Sequence, residues 1–212
     1  MYRGDYRSLR SLKTKILLTV SNFRKTAYHH YGNNHSSIIK FIYYSLINVN
    51  TFIVVGIDLD GELPAYNLEE GFEVIKPTIE ELDKLRGGKD LPREFYYDQI
   101  HGIKNCFIAL YENEVAYIHW IYVKGDPNRF LILSDGVAEL NYNTALPKFR
   151  GKRLQSKMLG YIFEDLRKRG FKEAVGVINE KNPPAIKGAK RAGMEEIGRI
   201  RTLGPFNRKF RV

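Results

Sequence analysis

The 212-residue chain has a single cysteine, Cys106, so it has no internal disulfide framework and no zinc site built from several thiolates. It is also short of acid: 24 Asp and Glu face 34 Lys and Arg, a formal net charge of +10. That balance points to acidic partners, namely nucleic acid, an anionic membrane or a phosphorylated small molecule. Helix-turn-helix, zinc-finger and aromatic RNA-binding motifs are all lacking, which makes nucleic acid the weakest of the three. No signal peptide is evident at the N-terminus, where "ILLTV" is only a short apolar run. The longest apolar stretch, residues 38–57, is interrupted by Lys40, Ser45, Asn48 and Asn50. It reads as a short helix over 37–47 and a strand over 51–59 instead of a membrane span. A reducing, cytoplasmic setting is expected, and no repeat or low-complexity segment is present.

The apolar content of 43% and aromatic content of 13% suit a globular domain. "GELPAYNLEEG" (61–71) is a polar connector, so a main domain is expected over 72–212 behind an N-terminal extension, 1–71. The extension opens with Arg3, Arg7, Arg10, Lys13, Lys15, Arg24 and Lys25 against Asp5 alone. A docking or oligomer element is expected there, with peripheral attachment to an anionic membrane and a homodimer as the two forms to consider. His29, His30 and His35 lack a nearby carboxylate or thiol and read as a polar loop; no metal is expected.

Within 72–212 the patterns give strand, helix, a second helix, three strands, helix, strand, helix and one or two closing strands. Thr78 is placed to cap the first helix, and Cys106 reads as a small apolar strand residue. The most informative stretch is "KFRGKRLQSKMLGYIFEDLRKRG" (148–170). Leu154, Met158, Leu159, Ile162, Phe163 and Leu166 recur at helical spacing, while Gly151 and Gly170 bracket the helix. Upstream, 136–146 alternates as a strand does. The turn between them joins a strand to a helix N-terminus and carries Lys148, Arg150, Lys152 and Arg153. Unpaired N–H groups, the helix dipole and four cations together favour an anion, while a solvated basic face is the plainer alternative. Residues 145–212 hold eighteen Lys and Arg against six Asp and Glu.

The order of elements, this turn and "NEKNPPAIKGAKRAGM" (179–194) resemble the GNAT superfamily of acetyl-coenzyme-A-dependent N-acetyltransferases over about residues 72–212. Arg150-Gly151-Lys152-Arg153-Leu154-Gln155 occupies the frame of the family's coenzyme A loop, with Arg153 where a glycine is usual and Gln155 where a small residue is usual. Asn182, Ala185, Gly193 and Met194 fall in register with a second family segment, in which Ala189 replaces a frequent tyrosine. The resemblance implies an α/β (α+β) fold with a mixed, mostly antiparallel central sheet flanked by helices. It also implies acetyl-CoA as co-substrate and transfer of acetyl to a primary amine of a small molecule, such as an amino sugar, or of a peptide. A non-catalytic coenzyme-A-binding, membrane-binding or nucleic-acid-binding protein on the same fold is the alternative.

The residues that the resemblance assigns to acetyl-CoA are Thr144, Ala145 and Leu146, through backbone N–H groups, the turn Arg150–Gln155, and Asn179, Asn182 and Ala185. Asn182 is equally suited to cap a helix before Pro183. Glu139 matches the catalytic carboxylate of some members and is expected on one strand face with Asn141 and Asn143, or else as a surface carboxylate. His119 is the second candidate base, against a packed strand histidine. With Ala189 in place of tyrosine, Tyr142, Tyr161 or solvent is expected to protonate the leaving thiolate.

Overall fold

The computed structural model describes residues 35–46, 49–65, 67–127, 130–203 and 208–209. The basic block of the extension, with His29 and His30, lies outside them; His35 opens a helix. Two units are distinguished, Met1–Asn48 and Val49–Val212. In the first, α1 (His35–Leu46) carries the exposed side chains Ile39 and Ile42. Val49–Asp58 forms β1, a strand in the interior of the second unit's sheet.

The remaining elements are β2 (Phe72–Ile75), α2 (Ile79–Arg86), a 3-10 turn (Arg93–Tyr96) running into α3 (Tyr97–His101), β3 (Asn105–Tyr111), β4 (Glu114–Tyr122), β5 (Val137–Ala145), a second 3-10 turn (Pro147–Phe149), α4 (Leu154–Lys168), β6 (Glu173–Asn179), α5 (Pro183–Arg191), β7 (Glu195–Leu203) and the short β8 (Arg208–Lys209). The strand order is β2-β3-β4-β5-β6-β1-β7-β8. Every neighbouring pair is antiparallel except β5 and β6. The mixed, mostly antiparallel sheet flanked by helices is the architecture expected from the sequence.

Local chemistry accounts for the elements. Thr78 caps α2 in a reciprocal box: Glu81 N–H donates to the Thr78 hydroxyl, and Thr78 N–H donates to the Glu81 carboxylate at 2.7 Å. Glu112 and Asn113, both at positive φ, make the two-residue turn between β3 and β4. Alternation along β4 divides the core. Tyr117 and Ile121 join Ala109, Leu140 and the apolar stripe of α4 (Leu154, Met158, Leu159, Ile162, Phe163, Leu166) on one side of the sheet. Ile118, Trp120 and Tyr122 join Leu82, Phe95 and Tyr97 on the other. Each such large side chain contributes about 1.5–3 kcal/mol on burial, so the two layers fix the orientation of β4 and β5 between them. Trp120 adds a directional tie, its indole N–H donating to the Glu94 carbonyl at 2.6 Å, which pins the Arg93–Tyr96 turn onto the sheet.

Candidate active site

The parallel pairing of β5 with β6 covers only Val137↔Glu173, Ala138↔Ala174 and Glu139↔Val175. Beyond Glu139 the strands part: β6 continues to Asn179 against β1 alone, while β5 continues to Ala145 against β4 alone. A gap therefore opens at Glu139, and the backbone edge of β5 along it has no strand partner. Leu146 N–H donates to the Ala116 carbonyl at 2.9 Å. Donors alternate along a strand, so the Thr144 and Leu146 N–H groups face β4 and the Ala145 N–H faces the gap. Of the three residues expected to offer backbone donors, Ala145 alone is so oriented.

Beyond β5 the chain makes the basic turn. Gly151 and Arg153 both adopt left-handed backbone, φ 81° and 57°. Glycine takes that geometry freely, and a β-carbon on Gly151 would meet nothing within 4 Å. Arg153 takes it at a cost of order 1 kcal/mol. It is the N-cap of α4 with no side-chain cap, so the N–H groups of the first helical turn lack an intrahelical partner. The Arg153 side chain is exposed. The other cations are partly committed: Lys148 pairs with Glu114, Lys157 with Glu69 at 3.0 Å, and Lys152 lies over the rings of Tyr111 and Phe72. Arg150 donates through Nε to the Ala145 carbonyl at 3.3 Å. Leu154 is buried in the core, leaving only its backbone to the turn.

Across the gap, Gln155 Nε2 donates to the Ala185 carbonyl at 3.2 Å, tying the first turn of α4 to that of α5. Asn182 caps α5, accepting from Ala185 N–H at 3.4 Å, and Asn179 Oδ1 accepts from Lys181 N–H at 2.8 Å. Both asparagine side chains thus shape the β6–α5 turn that bounds the gap. Ala189, where a tyrosine was a natural expectation, is buried.

Glu139 stands at the apex. It is 1% exposed and accepts from Asn141 Nδ2 at 2.5 Å. Its cross-strand partner is Tyr122, so it lies on the α2–α3 side of the sheet. The surface-carboxylate alternative does not apply. Nor does Asn143 share its face. In the β4–β5 ladder Ile118 pairs with Thr144 and Trp120 with Asn141, leaving His119 opposite two residues, Tyr142 and Asn143. This bulge holds Tyr142 at φ 51° and breaks the alternation that would align Asn143 with Asn141.

The Tyr142 ring packs edge-on against Tyr97 (4.7 Å), stacks on His101 (5.8 Å) and touches Tyr122 (5.8 Å). Burial, with Tyr142, Glu139 and Tyr97 close by, drives the Tyr122 phenol well above the ordinary tyrosine range. Tyr97 and His101 of this aromatic wall come from "REFYYDQIHG" (93–102), whose role sequence periodicity did not disclose; its density of aromatic residues was the available signal.

His119 is 1% exposed on the opposite side of the sheet. Its Nδ1 lies 2.9 Å from the Tyr117 hydroxyl, and burial pushes its pKa down to about 3. It is a neutral hydrogen-bonding group and a poor proton acceptor. Burial likewise pushes the Cys106 thiol up to about 12, which makes it inert. Among the described residues no group of three His, Cys, Asp or Glu is placed to hold a metal ion, and no helix is long and apolar enough to cross a membrane.

No protein-family model and no curated protein matches the chain. Solved structures do. A GCN5-related glucosamine N-acetyltransferase region of a fungal multi-domain GH3 β-N-acetylglucosaminidase aligns at a TM-score of 0.53 and 12% identity, over 80% of this chain and 23% of that one. A GCN5-related N-acetyltransferase-like protein from Streptococcus suis gives 0.52 and 13%, over 79% and 67%. A GCN5-related N-acetyltransferase from Sphaerobacter thermophilus gives 0.51 and 16%, over 79% and 55%, so this chain spans about half the length of that structure. The splayed β5–β6 pair, the basic turn opening α4 and the surrounding layers are thus arranged in the fold of the GCN5-related N-acetyltransferases.

Proposed function

We propose that the protein transfers an acetyl group from acetyl-CoA to a primary amine. The observation that carries this reading is the parting of β5 and β6 beyond Glu139↔Val175, with the uncapped, left-handed Gly151–Arg153 turn at the open end. The residues present fit the co-substrate. The N–H groups of the first turn of α4, reinforced by exposed Arg153 and by Arg150, suit a pyrophosphate. The gap suits an extended arm, and the β6–α5 turn closes its other wall. Acetyl-CoA supplies an acyl thioester activated for attack by an amine.

The chain's own groups would act as follows. The Ala145 N–H faces the gap and donates a hydrogen bond to the extended arm of the co-substrate, whose thioester end then points along β5 toward Glu139. Glu139, held by Asn141, accepts the proton of the incoming ammonium through water. Tyr142, turned out of the ladder at the bulge between Glu139 and Ala145, is the phenol assigned to return a proton to the thiolate. His119, buried on the far side and held neutral, contributes to packing and not to the proton path.

Calorimetry with coenzyme A and dephospho-coenzyme A, followed by thiol release across a panel of amines, tests the reading. Micromolar coenzyme A binding and turnover with at least one amine are expected. Absence of binding at high micromolar concentration overturns it.

A further inference from the structure

Two arginines, Arg86 on α2 and Arg93 at the start of the aromatic segment, differ in their partners. Arg86 is 4% exposed and its charge is compensated: it donates to the Phe95 carbonyl at 2.8 Å and to both Asp98 carboxylate oxygens at 2.6 and 3.0 Å, and it pairs with Asp83, its Nε alone being without a partner. Arg93 is half-buried, yet it forms no hydrogen bond or ion pair with any described residue, and its Nε is buried without a partner. Its guanidinium carbon sits 5.8 Å from the Tyr97 ring centre. The turn that carries it is fixed to the sheet by the Trp120–Glu94 hydrogen bond. A half-exposed guanidinium positioned by packing, with a buried Nε that no group of the chain satisfies, is suited to an external anion.

The surroundings say which anion. From Arg93 the ring of Tyr97 leads to that of Tyr142, which touches Tyr122, the residue paired with Glu139. An aromatic surface therefore runs from this guanidinium to the buried carboxylate at the apex of the gap. Asp98, the nearest acid on α3, is already neutralised by Arg86. Asp126, the other acid close to Tyr122, accepts from Val123 N–H at 2.8 Å.

We propose that Arg93 binds an anionic group, carboxylate or phosphate, carried by the amine acceptor, whose ammonium end reaches Glu139. The assignment as an acceptor site rests on the acetyltransferase reading above. The rings of Tyr97, Tyr142 and Tyr122 lie between the charges, so the acceptor carries its amine and its anion several bonds apart, on an alkyl chain or a sugar ring. An α-amino acid, with both charges on one carbon, is too short to span them.

Matched probes test this by calorimetry on the whole chain without coenzyme: 6-aminohexanoate against hexylamine, and glucosamine 6-phosphate against glucosamine. The anionic member of one pair is expected to bind about tenfold or more tightly than its partner, as a charge-assisted contact implies. That advantage should vanish in Arg93→Gln and persist in part in Arg93→Lys. The pair showing it identifies carboxylate or phosphate as the anion. Equal binding within both pairs, no binding by any probe at millimolar concentration, or an advantage that survives Arg93→Gln overturns the proposal. An anion advantage in a protein that fails to bind coenzyme A would uphold the Arg93 site and remove the transferase reading separately.

Discussion

The side chain of Gln155 lies so close to Gly188 that a β-carbon added there would stand 2.4 Å from Gln155 Oε1. With the hydrogen bond from Gln155 to the Ala185 carbonyl, this contact clamps α4 to α5 where the two helices border the gap. Gln155 thus has a structural reason to occupy a position where a small residue is more usual, and Gly188 has a reason to be glycine.

Gly188→Ala is therefore expected to destabilise the protein by only about 1 kcal/mol or less, because the group in the way is the end of a flexible side chain and alanine gains about 1 kcal/mol over glycine inside a helix. Gln155→Ala in the same chain should restore much of that loss, because the two substitutions share one contact and are not additive. Urea unfolding of both single variants and the double variant measures it; purely additive effects would sink the clamp.

Arg153 sits in left-handed backbone with an exposed side chain. Arg153→Gly relieves the backbone cost and removes a cation from the turn. Stability should be no lower than the parent's, while coenzyme A binding weakens about tenfold or more if the charge-assisted contact is made. Melting and calorimetry on the same samples separate the two effects, and a variant that binds coenzyme A as tightly as the parent would exclude Arg153 from the phosphate site.

Because β1 lies between β6 and β7, residues 49–58 are part of the domain's interior, with Val55 fully buried. Deleting residues 1–48 should leave a cooperatively folding protein; deleting 1–71 should not, since it strips the partner from two strands. Circular dichroism melts of both truncations decide it.

The sequence disclosed what repeats along the chain. The stripe from Leu154 to Leu166, the Thr78 cap, the strand read over 136–146 and the turn at 148–155 were all legible, because each is written in local spacing. Features that depend on pairing were not. Nothing in residues 49–58 states that they lie between β6 and β7, since a buried strand reads the same wherever it inserts. The bulge at Tyr142 was hidden for a related reason: it exists only as a mismatch between β4 and β5. Alternation alone grouped Asn143 with Glu139 and Asn141, and one extra residue in the ladder undid that. Arg93 was invisible as a site because its significance lies in what does not contact it.

His119 bears on acid stability. Its folded pKa, near 3, lies below the unfolded histidine value of about 6.5. The unfolded chain therefore takes up the proton first as pH falls. Stability is whole above about pH 6.5 and declines toward pH 3, by up to about 1.4 kcal/mol per unit from this group. His119→Gln should flatten the slope between pH 6.5 and 5, above the range in which most carboxylates titrate. Urea midpoints at a series of pH values test this, and an unchanged slope would mean that His119 is not buried as a neutral ring.

Glu139 carries the sharpest expectation. It sits at the last parallel pair before β5 and β6 part, is almost wholly buried, and is held by Asn141 on the side of the sheet that carries the aromatic wall. Glu139→Gln keeps the shape and removes the basicity, so the chemical step should slow by about 10²–10⁴-fold with a competent amine. Coenzyme A affinity should stay within about twofold, since the phosphate turn is at the other end of β5. Asn141→Ala leaves the carboxylate in place but unanchored, and should cost less in rate than the Gln variant. The pH–rate profile separates a base from a structural residue: the parent rate should rise with pH to a plateau, and Glu139→Gln should regain rate only at alkaline pH, where the free amine predominates. If the Gln variant keeps the parent rate and profile, the amine loses its proton to solvent, and Glu139 serves only to order the strand.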